Sequence, residues 1–174
     1  MEEKRKIAAI LTLTVALCLV LVSLAHAEEK ATSLNWVEHK PNPRFTIYDP
    51  GTPKEKGDDL VLDNKTGLIW ARNAHLAGKT LTWEDAINYC QDLALGNLKE
   101  WRLPSKEELL SMVDPSKGAP ALPNGHPFIN VKFTYWSSTE FETNWAWNVH
   151  VFTGHRCHWE PKIVGFDVWP VLGR

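Results

Sequence analysis

Cysteine is scarce: the chain has three in 174 residues, and one of them, Cys18, sits inside an N-terminal apolar run. Two are left for the rest, enough for a single bridge and too few for a disulfide scaffold. Glycine-rich phosphate loops are absent, as are internal repeats and low-complexity tracts. No histidine spacing matches a strong zinc motif, and no carboxylate pair can be argued from spacing to be a glycosidase site. Basic runs are missing beyond residue 6. Discounting Lys4, Arg5, Lys6, Glu2 and Glu3 from 19 Lys+Arg and 21 Asp+Glu leaves 16 against 19, a mildly acidic balance. That excludes the electrostatic footprint of a nucleic-acid binder and of a protein drawn to anionic membranes.

The N-terminus reads as a targeting segment. Lys4, Arg5 and Lys6 precede an apolar run from Ile7 to Leu24, which closes on Ala25-His26-Ala27. A charged start, an apolar middle and a small-x-small end make a secretory signal, with cleavage expected after Ala27. The alternative is an uncleaved anchor, since the run approaches bilayer length. Leu17 precedes Cys18 where a lipoprotein signal has a small residue. The expected organisation is a signal peptide over 1–27, a tether over 28–43 and one domain over 44–174. Localisation is then periplasmic or secreted, with no membrane contact after cleavage.

All nine tryptophans lie beyond the leader. Such a load supplies buried area to a small domain, and it equally suits ligand stacking. Strands are expected at 44–48, at 60–63 and 68–72 around an Asn64–Gly67 turn, and at 133–139, 145–152, 155–160 and 166–171. Trp83, Ala86, Ile87, Cys90, Leu93 and Ala94 repeat at helical spacing behind a Thr82 cap, and Gly96 stops the run. Ser105 and Glu108 form a capping box for a second helix, Lys106 to Val113. Residues 114–130, broken by four prolines, form a long irregular loop. Two early helices beside several short antiparallel strands predict an α+β domain.

The stretch HVFTGHRCHWE (150–160) holds three histidines, an arginine and a cysteine. Alternation puts Trp147, Val149 and Val151 on one face, and Asn148, His150 and Phe152 on the other. A three-residue loop, Thr153–His155, pairs Val151 with Cys157, Val149 with Trp159 and His150 with His158. Val151, Cys157 and Trp159 then turn inward, leaving Asn148, His150, Arg156 and His158 as an outer polar face. Two outcomes follow for the thiols: a Cys90–Cys157 disulfide between helix and sheet, or two buried free thiols. Cys157, turned away from the histidines, is no candidate nucleophile. His150 and His158 lack the third and fourth ligands of a zinc site, so no metal or other cofactor is expected. With Arg156 they make a locally positive patch, suited to sulfate or carboxylate groups of an acidic glycan.

Six motifs, DNKTGLIW (63–70), TWEDAINYC (82–90), WRLPSKEELLSMVD (101–114), YWSST (135–139), AWNVHVFTG (146–154) and VWPVLG (168–173), fall in order. Together they resemble the bacterial family typified by the C-terminal domain of the collagen-like adhesin Lcl. The resemblance covers about residues 44–174. It implies a C-type-lectin-like fold related to formylglycine-generating enzymes, with two helices packed on small antiparallel sheets and a long loop region. It also implies an extracellular ligand, since the named adhesin binds sulfated glycosaminoglycans. In such a fold Asn144 and Trp145 enter the loop region, where the indole stacks on a sugar and the amide supplies hydrogen bonds; otherwise Trp145 is core.

Departures from the family are informative. Many members resemble V-R-C-V-R near the end, with a cysteine that pairs with the helix cysteine; Val168-Trp169-Pro170-Val171 stands there in this chain. The calcium motifs of animal C-type lectins and the closely spaced cysteines of formylglycine-generating enzymes are also missing. The expectation is an exported, non-catalytic module binding a glycan, acidic or sulfated types included, or a cell-surface protein. The alternatives are an enzyme on the formylglycine-generating-like scaffold, needing a reactive Cys157, and a structural partner module of an envelope assembly.

Overall fold

A computed structural model describes residues 36–48, 60–96, 98–154 and 156–173. The expected signal peptide and residues 28–35 of the expected tether lie outside them. Two small antiparallel sheets and two helices make up this α+β domain. The first sheet contains β1 (Trp36–Glu38), β2 (Phe45–Tyr48), β3 (Leu60–Asp63), β4 (Leu68–Ala71) and β8 (Val171–Leu172), in spatial order β1-β2-β3-β4-β8. The second has β5 (Thr134–Glu142), β6 (Trp145–His150) and β7 (Arg156–Pro161), in sequence order. β1 falls within the segment read as a tether and pairs with β2 through Val37↔Ile47. No hydrophobic alternation announces so short an edge strand.

Local chemistry explains both helices. α1 (Trp83–Asp92) starts at Thr82, whose hydroxyl accepts from Asp85 N and donates to the Asp85 carboxylate at 2.7 Å. It ends at Asp92, short of Leu93 and Ala94 in its apolar stripe, because Leu93 is already extended. α2 (Lys106–Met112) carries the capping box in full: Glu108 N donates to Ser105 Oγ, and Ser105 N to Glu108 Oε2. These reciprocal bonds satisfy first-turn amides that have no helical partner. Among the described residues no helix is long and apolar enough to cross a membrane.

The β3–β4 turn is held from its side by charge. Asp63 is buried, and Arg44 grips both its carboxylate oxygens at 2.8 and 2.6 Å. Lys65 N and Thr66 Oγ1 donate to the same group. Burial alone pushes this carboxyl up, but the bonds and charge of Arg44, with Lys65 and Thr66, outweigh it and hold the group below its ordinary value.

Trp169, fully buried, joins the two sheets. Its ring centroid lies 5.2 Å from Trp70 on β4, 4.8 Å from Phe128 in the long loop and 5.2 Å from Tyr135 on β5. Its Nε1 donates to Ala71 O at 2.8 Å, and Ala71 N returns a bond to Pro170 O. The C-terminal segment therefore lies between the sheets, and of the expected 166–171 strand only Val171 enters a ladder, followed by Leu172. Isolated bridges Leu81↔Phe166 and Tyr135↔Asp167 stitch the remainder in place.

Two consequences can be measured by urea unfolding. Trp169→Ala should cost about 3–5 kcal/mol, as large aromatic truncations in a packed core do. Trp169→Phe should cost less, since it keeps most of the ring contacts and leaves only Ala71 O short of its donor. For Asp63 the depressed folded value makes its contribution present above the unfolded carboxylate value of about 3.9. It is lost as pH falls through the lower folded value. The urea midpoint should therefore drop below about pH 4, and Arg44→Ala should flatten that dependence while lowering stability at neutral pH.

Candidate functional site

β5, β6 and β7 carry the candidate residues. The β6–β7 register sets Trp147 opposite Trp159, Asn148 opposite His158, Val149 opposite Cys157 and His150 opposite Arg156. This differs by two residues from the pairing that a three-residue loop predicts. β6 ends at His150 and β7 starts at Arg156, so more residues separate the strands than a three-residue loop allows. Gly154, at φ +71°, donates its amide to His150 O, and Thr153 bonds His150 Nδ1 through both its amide and its hydroxyl. Val151 leaves the ladder, and its carbonyl accepts from Ala121 N in the long loop. A slip of two keeps the same residues on the same face, so the predicted alternation survives although the partners change.

What alternation does not determine is which face meets water. Trp136 and Ala146 pack with Ala86 and Cys90 of α1, covering the face that was expected to be outward. Asn148 shares that face and is only 2 % exposed, its Nδ2 lacking a partner among the described residues. It cannot meet a ligand directly at the surface, which corrects its assignment to an outer polar face. The opposite face carries Tyr135 and Val149, both buried, and α2 leans on it with Lys106 Nζ 4.3 Å above the Trp147 ring. The sheet is thus buried on both sides at its centre. β7, at its edge, is not: Trp159, expected inward, is 46 % exposed.

The thiols follow from this. Cys90 belongs to the cluster on the Trp136 face, whereas Cys157, opposite Val149, is on the other face of the sheet. They are free, and no Cys90–Cys157 bridge forms. Burial pushes the Cys90 thiol up to about 12. Cys157 is half-buried on the edge strand.

The remaining candidates are dispersed. His158 is exposed; His150 is half-buried, its Nδ1 taken by Thr153 and its ring 6.1 Å from Phe133. Arg156 faces His150 in the ladder, and its side chain lies outside the described residues. Asn144 is exposed in the β5–β6 turn, with its carbonyl accepting from Lys162 N. Among the described residues no three His, Cys, Asp or Glu side chains gather as a metal-binding group.

Instead the structure assembles an aromatic surface on the Val149 face, where the hairpin reaches past α2. Phe141 and Trp159 stack at 4.7 Å and 26°. Trp147 stands edge-on to both, at 5.7 and 5.3 Å. Trp145, two residues before Trp147, alternates onto the same face. Phe141, Trp145 and Trp159 are 43 %, 37 % and 46 % exposed. Lys106, over Trp147, is 3.5 Å from Glu107, so the ring cluster is edged by one cation and one carboxylate. Of these rings only Trp145 was a candidate from the sequence. The available signal was the shared parity of residues 145, 147 and 159, masked by the assumption that this face is core.

The geometry defines a class first: a small α+β domain of two antiparallel sheets, with an aromatic surface on the outer part of its second sheet. More particularly, the chain belongs to the Lcl C-terminal domain family, whose model matches residues 59–172. Comparison with curated proteins gives no match. The matched stretch runs from the start of β3 through β8, so β1 and β2 precede it.

Thiol labelling of the native protein at neutral pH should modify Cys157 and spare Cys90. Unfolding without reductant should release Cys90 to the reagent. A Cys90–Cys157 disulfide-linked peptide found by mass spectrometry would contradict the opposed placement of these side chains.

Proposed function

We propose that this chain is an exported, non-catalytic binding module that holds an extracellular glycan on the face formed by Phe141, Trp145, Trp147 and Trp159. The observation that carries this reading is the exposed stack of Phe141 and Trp159 against Trp147, with Trp145, also exposed, on the same strand face by alternation. Apolar surface grouped in this way is unfavourable in water unless a ligand or partner covers it. Indole and phenyl faces suit the C–H face of a pyranose, while Lys106 and Glu107 at the margin offer polar contacts to its hydroxyls. Export rests on the leader composition of residues 4–27. The separation of Cys90 from Cys157 supports binding over an enzyme built on a cysteine pair.

A second reading, docking of a cell-surface protein, is favoured by the same patch lying beside β7, whose outer edge is unpaired among the described strands. The acidic-glycan preference depends on His150, Arg156 and His158, of which His150 and His158 project to the other face of the hairpin by alternation.

A glycan array with charge-matched controls should return oligosaccharide ligands. Trp159→Ala and Trp145→Ala should each weaken them about tenfold, ~1.4 kcal/mol. Unchanged affinity in both variants, or an array without binders, would sink the glycan reading. Arg156→Ala with His158→Ala separates the acidic preference: a selective loss of sulfated ligands supports it, and an even response removes it.

A further inference from the structure

A cleft of about 430 Å³ lies on the other side of the β5–β6 hairpin tip, bounded by three segments. Glu84 comes from the first turn of α1, Thr143 and Asn144 from the hairpin turn, and Pro161, Lys162 and Ile163 from the turn leaving β7. Lys162 braces all three. Its amide donates to Asn144 O and its carbonyl accepts from Trp83 N, both at 2.9 Å. Its ammonium donates to Thr143 O at 3.0 Å and to Glu140 at 2.6 Å, and lies 4.2 Å from the Trp83 ring centroid. The cleft is thus held in shape without a ligand, and the one cation on its wall is already neutralised by Glu140.

The groups left over have a consistent chemistry. Glu84, Thr143 and Asn144 are exposed, and their side chains make no hydrogen bond among the described residues. Facing them in the lining are Pro161 and Ile163, the latter 85 % exposed, an unusual position for so large an apolar side chain. An amide, a hydroxyl and a carboxylate beside an aliphatic surface suit a ring with an apolar face and a polar rim. The Glu84 carboxylate, paired with no cation among the described residues, opposes sulfate or carboxylate and attracts an ammonium. Asn144 leads directly into Trp145 of the aromatic face, so an oligosaccharide crossing the hairpin tip would touch both surfaces.

We propose that this cleft is a second subsite for the same glycan, holding a non-acidic sugar residue and favouring an amine-bearing one; it rests on the glycan reading of the aromatic face. The test is amide-resolved NMR titration of the protein with glucosamine, methyl glucoside and glucuronate. Glucosamine at millimolar concentration should shift the Asn144 and Ile163 amides, methyl glucoside more weakly, and glucuronate not at all. Asn144→Ala should weaken the glucosamine response at least fivefold, and Glu84→Gln should abolish its advantage over methyl glucoside. Silence of these amides toward glucosamine, or an equal response to glucuronate, would overturn the subsite. A β-1,4-linked glucosamine tetrasaccharide separates the two readings. Binding that falls in Trp159→Ala but not in Asn144→Ala or Glu84→Gln rejects the cleft and leaves the aromatic face standing. Binding that falls only in the cleft variants rejects the aromatic face.

Discussion

The indole of Trp169 is the contact on which the rest of this domain depends. It touches β4, β5 and the long loop at once, and its one polar atom is satisfied by Ala71 O inside the five-stranded sheet. Neither sheet is large enough to bury itself, since each has few strands and short ones. A single wide aromatic side chain between them fills space that smaller residues would leave as cavity, and dense packing makes that contribution large. The same segment fixes where the second sheet sits, because Asp167, two residues before Trp169, bridges Tyr135.

With the centre of that sheet fixed, the helices enclose it from both sides. α1 covers Trp136 and Ala146, and α2 approaches Trp147 and the β5 strand. Only the far part of the hairpin and the edge strand project beyond this cover. The exposed rings Phe141, Trp145 and Trp159 are therefore a consequence of the architecture: they occupy the part of the sheet that neither helix reaches. The binding role proposed for them uses surface that folding alone leaves uncovered.

Much of the local structure was legible in the sequence. Thr82 and Ser105 announce their helices because a cap bonds to amides within three residues of itself. The Asn64–Gly67 turn is visible for the same reason: Gly67 supplies the positive φ its hairpin needs. The alternation of residues 145–151 was legible too, since pleating is intrinsic to a strand. β1 was not, being three residues long and held by its partner strand. The candidate site was partly legible. Asn144 and Trp145 are at the surface, whereas Asn148 is buried and Trp159, read as core, is exposed.

Interaction range separates the two outcomes. By itself the sequence determined what neighbouring residues decide together: the caps, the apolar stripe of α1, the Asn64–Gly67 turn and the shared parity of a strand face. Only the tertiary structure decided which residues of a given face are covered. Cover depends on helices and a C-terminal segment that are distant in the chain and arrive through packing around Trp169. Cys90 and Cys157 show the difference most plainly. Each sits on an apolar-looking position of its own element, yet the sheet lies between them because α1 packs on one side of it and Cys157 points to the other.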